Sequence, residues 1–187
     1  MQFGLIVIQI LTAWIYSHFL EYCLHRFALH NNSFLLKPLF KIHFSNHHRC
    51  ARADLMVDND YHSPASFIFH KEALILMALC ALHIPVVLFF PYAFVTVVIS
   101  ACSYFLVHRR AHIDHRWARD NLTWHYDHHM GKDQNCNWGV RLPIFDIIFG
   151  TRQHYKGTED EFKDFVRKIR RSYRKFERLQ TVSKSVK

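Results

Sequence analysis

At 187 residues the chain is long enough for one domain and too short for a second domain carrying a tethered redox module. Half of its residues are apolar and 17 are Phe, yet the formal net charge is +9, so apolar and basic material must be kept apart. The separation runs along the chain: all 24 Lys and Arg lie between Arg26 and Lys71 or from Arg109 onward, and residues 1–25 and 72–108 contain none.

The first of these stretches, residues 3–24, supplies the roughly 20 apolar residues that cross a hydrocarbon core as a helix. Its only charge is Glu21. No basic run precedes it and no small-x-small site follows, which argues against a cleaved signal peptide. The second stretch, residues 73–107, runs 35 residues without a charge. That is too long for one span and slightly short for two. Pro85 and Pro91 lie near its middle, and the pattern predicts a break around Phe89-Phe90-Pro91-Tyr92 between two short, tilted helices. A soluble hairpin is the alternative, but it would leave both stretches without enough amphipathic helices to cover them. One span followed by a hairpin returns residues 26–71 and 109–187 to the same face, which the positive-inside rule makes cytoplasmic. The expectation is an all-α integral membrane protein, with one N-terminal span, a central transmembrane hairpin and a cytoplasmic histidine-rich helical cap. Its membrane-embedded domain covers 1–151 and a basic tail helix covers 152–187. Five cysteines, an odd number with no Cys-x-x-Cys pair, fit free thiols in a reducing compartment and leave no thiolate zinc site.

Ten of the 16 histidines fall into four tight groups next to the apolar stretches: His25 and His30; His43, His47 and His48; His108 and His112; His125, His128 and His129. Residues three and four apart share a helix face, so His43 with His47, His108 with His112, and His125 with His128 and His129 can each converge on a point. Adjacent His-His pairs diverge by about 100° and suit ligands reaching two neighbouring ions. His25 and His30, five apart, are less well aligned; they belong at a helix end or on two different ions. Imidazole suits iron, zinc, copper and nickel, and ten ligands are too many for one ion, so two ions with about five nitrogens each are expected. The Glu-x-x-His signature of carboxylate-bridged di-iron bundles is absent. His18, His62, His70, His83, His115 and His154 are read as structural. Glu21, Asp114 and Asp127 neighbour the clustered histidines and are candidates for orienting imidazoles, with solvated or capping roles as the alternative.

The runs EYCLHRFALH, HFSNHH, HRRAH, WHYDHHMGKDQNCNWG and DIIFGT resemble the fatty acid hydroxylase and sterol desaturase superfamily over residues 21–151. The resemblance implies a membrane-embedded helical fold, a histidine-bound dimetal centre on the cytoplasmic face, and dioxygen-dependent hydroxylation or desaturation of lipid chains. It implies His25, His30, His43, His47, His48, His108, His112, His125, His128 and His129 as metal ligands. Asn137, Trp138, Gly139, Asp146 and Phe149-Gly150-Thr151 match the family's closing motif and would support the site rather than bind metal. The segment after His48 lacks the proline-rich stretch of fatty acid 2-hydroxylases, and the final box is closer to the bacterial sterol desaturase-like branch.

Breaking an unactivated C–H bond needs a redox-active metal, so two iron ions are expected in the active protein, although zinc can occupy such ligands in isolated material. Dioxygen would be the co-substrate and a fatty acyl, sterol-like or other membrane lipid the substrate. There is no iron–sulfur cysteine cluster and no Gly-x-Gly-x-x-Gly fingerprint, so electrons would come from a cytochrome b5-type, ferredoxin or reductase partner. Hydroxylation is the preferred reaction, with desaturation at the same centre as the alternative. A membrane metal transporter would want its ligands within the spans, and the full set of ten histidines argues against a regulatory or non-enzymatic metal-binding protein.

The tail reads as an amphipathic helix. Thr158 and Glu161 form a capping box, Phe162, Phe165, Val166, Ile169, Tyr173, Phe176 and Leu179 share one face, and Lys168, Arg170, Arg171, Arg174 and Lys175 the other. An interfacial helix on anionic lipid is the preferred reading; packing on the catalytic helices is the alternative, and nucleic-acid binding is not expected.

Overall fold

The computed structural model describes residues 2–63 and 65–185, and every regular element among them is helical. The chain forms two compact units, residues 1–153 and 154–187.

In the first unit the uncharged N-terminal stretch becomes α1 (Gln2–Leu24), which runs on without a break into a π-helical turn, His25–Leu29. A short α2 (Lys37–Phe40) leads into a second π-helical segment, Lys41–His48, and then α3 (Arg49–Ala53). A 3₁₀ turn at Asn59–Tyr61 and α4 (Ser66–Phe69) precede α5 (Lys71–Leu82). Pro85 opens a 3₁₀ turn, Ile84–Leu88, and Pro91 starts α6 (Pro91–Ile113). Three shorter helices complete the unit: α7 (His115–Asn121), α8 (Thr123–Met130) and α9 (Ile144–Ile148).

The expected break at Phe90-Pro91 is present, but the hairpin is lopsided. α1 with its π turn and α6 are each long and apolar enough to cross a membrane. α5 has 12 residues, about 18 Å at 1.5 Å per residue, well short of a hydrocarbon core of about 30 Å. The reason is local: Pro85 cannot donate to an α-helical turn, so the helix stops at Leu82 and a 3₁₀ turn begins at Ile84. α6 in turn continues past the uncharged run to Ile113, which puts His108 and His112 inside the helix rather than beyond it.

α1 and α6 pack side by side and run the same way. Gln9 Oε1 accepts from the Tyr92 amide at 3.2 Å near their start, and Arg141 bridges Glu21 to the Ser100 carbonyl further along. Both helices therefore carry their C-terminal histidines to the same end. Their outer faces are apolar and exposed, with Phe3, Ile8, Leu11 and Ile15 on α1 and Val95, Ile99 and Leu106 on α6 all more than half exposed. A continuous apolar surface of this kind is what a lipid-facing helix presents. α9 clamps the other side of α1, with Phe145 stacked near Phe19 and Phe149 near Tyr22 at ring separations of 5.1 and 5.3 Å.

In the second unit, α10 (Glu159–Ser185) starts at the expected cap. Thr158 Oγ1 accepts from the Glu161 amide, while the Glu161 carboxylate reaches back one residue further than expected, to the Gly157 amide. Phe162, Phe165, Ile169 and Tyr173 are all more than half exposed on its apolar face. The side chains of Lys175, Phe176 and Leu179 lie outside the described residues.

Candidate metal centre

The two π-helical segments decide which histidines meet. A π-helix closes i→i+5 hydrogen bonds and is wound more widely than an α-helix, so residues five apart are brought nearer to one face than α-helical spacing allows. His25 and His30 therefore face the same point, and His48 replaces His47 as the partner of His43. The result is two buried groups whose ring nitrogens lie within 4.8 Å of one another: His25, His30, His43, His48 and His128 in one, His47, His108, His112 and His129 in the other. This geometry groups His43 with His48 rather than with His47, and puts His25 and His30 in one group. The divergence of adjacent pairs holds: His47 and His48 part company, as do His128 and His129. His125 stands beside the second group, its Nε2 at 3.2 Å from that of His112.

Six of the ten imidazoles are oriented from behind at Nδ1, His30 by Asn135 Oδ1 at 3.4 Å. His25, His112 and His128 donate to the carbonyls of Trp138, Met56 and Cys136 at 2.6, 2.7 and 2.6 Å. Asp58 takes Nδ1 of His47 at 2.8 Å, and Glu72 takes Nδ1 of His108 at 2.6 Å while also accepting from Tyr61 at 2.9 Å. A ring that gives its Nδ1 proton to an acceptor keeps a lone pair at Nε2. His108 and His112 consequently point two lone pairs at each other across 3.2 Å, an arrangement that a cation between them relieves. The spacing fits that use: two nitrogens about 2.1 Å from one ion at a right angle are about 3 Å apart. Nδ1 of His48 and His125 and both ring nitrogens of His129 are buried without a hydrogen-bond partner. Burial, reinforced by the neighbouring imidazoles, holds His43, His48, His125, His128 and His129 well below the ordinary histidine range. These rings are neutral, the form that ligates metal. The two groups can hold metal ions.

The backbone that supplies the carbonyls is itself constrained. Met56 and Asn137 have positive φ, at 81° and 56°, as does Leu55 at 49°. Left-handed backbone costs a non-glycine residue of order 1 kcal/mol or more, and here it turns the Met56, Cys136 and Trp138 oxygens inward. Asn137, fully buried, tolerates that conformation and is fixed by Gln153 and Arg152. Asp146 accepts from the amides of Trp138 and Gly139 and from the Thr151 hydroxyl at 2.7–2.8 Å. Gly139 is required by space: a Cβ there would lie 2.2 Å from the Leu142 carbonyl oxygen. The closing motif thus supports the site, as the resemblance implies.

The acids named from sequence have other tasks. Glu21 accepts from the Val140 and Arg141 amides and pairs with the Arg141 side chain, Asp127 pairs with Arg152, and Asp114 caps α7. Asp58 and Glu72, which do hold histidines, were not singled out by spacing. Of the histidines set aside as structural, His70 caps α5 and stacks on Tyr61, and His83 hydrogen-bonds Tyr16. All five cysteines are free.

A cavity of about 270 Å³ opens between α1, α5 and α6 and ends on His25, His43 and His47. Its walls are mainly apolar, with Leu20 and Leu24 from α1, Ile75 and Leu79 from α5, and Val97 and Ala101 from α6.

The fatty acid hydroxylase family model matches residues 10–151, covering most of α1, all of α6, all four histidine groups and the closing motif. The chain belongs to the fatty acid hydroxylase family. No curated protein and no solved structure matches it. Membership in this fatty acid hydroxylase/sterol desaturase superfamily makes an oxidoreductase the coarse functional class.

Proposed function

We propose that this fatty acid hydroxylase family member is a multi-pass membrane enzyme that hydroxylates a lipid at an unactivated carbon, using two iron ions held by its ten clustered histidines and dioxygen as co-substrate. The observation that carries this reading is the apolar cavity between the lipid-facing helices that ends on the neutral histidine groups. The first ion would take His25, His30, His43, His48 and His128; the second would take His47, His108, His112 and His129, with His125 alongside. When bound, such a pair supplies the oxidising power that C–H cleavage with dioxygen requires.

The chain's own residues provide the rest. Asp58, Glu72 and the three carbonyls hold Nδ1 protons away from the centre, so that every supported ring presents its lone pair inward. The leucine, isoleucine and valine walls admit an alkyl chain from the bilayer and exclude water from the reacting carbon. The basic segments flanking the apolar helices support a cytoplasmic position for the centre, where an external electron donor of the cytochrome b5, ferredoxin or reductase type would reach it.

The test is to express the protein with iron supplied, quantify bound metal, and compare extracted lipids by mass spectrometry with a His128→Ala control. Two irons per chain and a lipid that gains one oxygen atom support the hydroxylase. Loss of two hydrogen atoms instead assigns a desaturase. Full activity in His128→Ala would sink the ligand assignment.

A further inference from the structure

The cavity has a polar corner that metal ligation does not use. Its lining carries four carboxylates, Glu21, Asp58, Asp60 and Glu72, against two cations, Lys71 and Arg141. Asp58 is engaged by His47, Glu72 by His108 and Glu21 by Arg141, while Lys71 is exposed. A ligand that brought its own negative charge into this space would meet a net acidic wall, and burial of an unmatched charge is costly.

Arg141 is placed differently from the other charged groups. Its side chain is 9% exposed, and its Nε donates to Glu21 at 2.7 Å. One terminal nitrogen, Nη1, donates to the Ser100 carbonyl at 3.2 Å. The other, Nη2, donates to no protein atom among the described residues. Glu21 already cancels the guanidinium charge, so Arg141 has a strong hydrogen-bond donor to offer and no net charge with which to neutralise a carboxylate. Glu21 sits one helical turn, about 6 Å, before His25, and holds Arg141 at the end of the cavity nearest the histidines.

We infer that Arg141 is a specificity-determining residue whose free Nη2 donates to a neutral hydroxyl or carbonyl oxygen of the lipid in the cavity. The substrate class is then a neutral, oxygen-bearing lipid rather than a free fatty acid or a plain hydrocarbon. This rests on the cavity being the lipid site. It also sets the direction of the chain: the oxygen lies at the metal end, the attacked carbon is a few bonds from it, and the alkyl tail runs along α5 toward Leu79.

Binding of hexadecane, 1-hexadecanol and hexadecanoate to the purified full-length protein, measured by equilibrium dialysis, tests the inference without turnover. The alcohol is expected to bind about tenfold more tightly than either other probe, the gain from one hydrogen bond to a charged donor. The double variant E21Q/R141M removes the pair without stranding a charge, and should abolish that preference while hexadecane binds as before. If E21Q/R141M loses hexadecane as well, E21L/R141L, which replaces the pair by two apolar side chains, is read in its place and should show the same loss of preference. Tightest binding of hexadecanoate to the unaltered protein overturns the inference, as does an undiminished alcohol preference in the variant read. Ala101→Trp, which fills the cavity, separates the two levels of the argument. If it leaves binding of all three probes unchanged, the cavity is not the lipid site; if it blocks them while alcohol and alkane bind the unaltered protein equally, only the role of Arg141 falls.

Discussion

Glu72→Gln should loosen one metal ion and spare the other. Glu72, its side chain 16% exposed, takes Nδ1 of the buried His108 at 2.6 Å and accepts from Tyr61 at 2.9 Å. The amide keeps the shape and one acceptor oxygen but loses the charge, and a buried hydrogen bond to a charged group contributes about 1.5–3 kcal/mol. That corresponds to roughly 10- to 100-fold in affinity, the same range found when acceptors behind ligating histidines are removed. His108 belongs to the four-membered group with His47, His112 and His129, and among the described residues no hydrogen bond joins Glu72 to a histidine of the five-membered group. Competition against a graded series of chelators, followed by metal analysis, should show one ion released at roughly 10- to 100-fold weaker chelation and the second at the concentration needed for the unaltered protein. Asp60→Asn, a cavity acid that holds no histidine, is the control. Release of both ions together, or of neither, would refute the reasoning, because it would mean that Glu72 does not act through His108.

Gly139→Ala should destabilise the folded protein by about 1–3 kcal/mol, the usual cost of overpacking. The added methyl meets the Leu142 carbonyl oxygen at 2.2 Å, and a thermal melt in detergent that matches the unaltered protein would contradict this. Acid should release metal and weaken the fold. His43, His48, His125, His128 and His129 have depressed folded values, as does His30 at about 4, against about 6.5 unfolded. Below pH 6.5 the unfolded chain therefore takes up protons that the folded one refuses, and stability falls with pH; a metal-free melting temperature that is flat from pH 7 to pH 5 would exclude this. For the tail, hydrogen exchange over residues 159–176 should slow in nanodiscs containing anionic lipid relative to zwitterionic ones. Equal protection in both would favour packing against protein instead.

The parts of the fold that a sequence can state directly are those governed by composition. Absence of charge over residues 3–20 and 73–107 gives α1 and α6, and Pro91 fixes where α6 begins. The ten histidines are equally plain, because nothing structural asks for so many imidazoles at helical spacing. Which of them share an ion was not legible, since the answer turns on i→i+5 hydrogen bonding at His25–Leu29 and Lys41–His48, and α-helical spacing gives a different pairing. Glu72 and Asp58 were missed because each reaches its histidine through tertiary packing, from a position with no local motif. The length of α5 was misjudged because an uncharged run shows where lipid can be met, and does not show where the backbone stops being α-helical.

Three of the ten rings take their orientation from main-chain oxygens, those of Met56, Cys136 and Trp138. A carbonyl survives any substitution of the side chain attached to it, so these three orientations cannot be deleted by replacing the residue that provides them. They can be lost only by moving the loop. The orienting oxygens at positions 56, 136 and 138 are therefore kept as long as the chain path is kept, and the vulnerability of these orientations passes to the residues that shape that path, Asn137, Gly139 and Asp146.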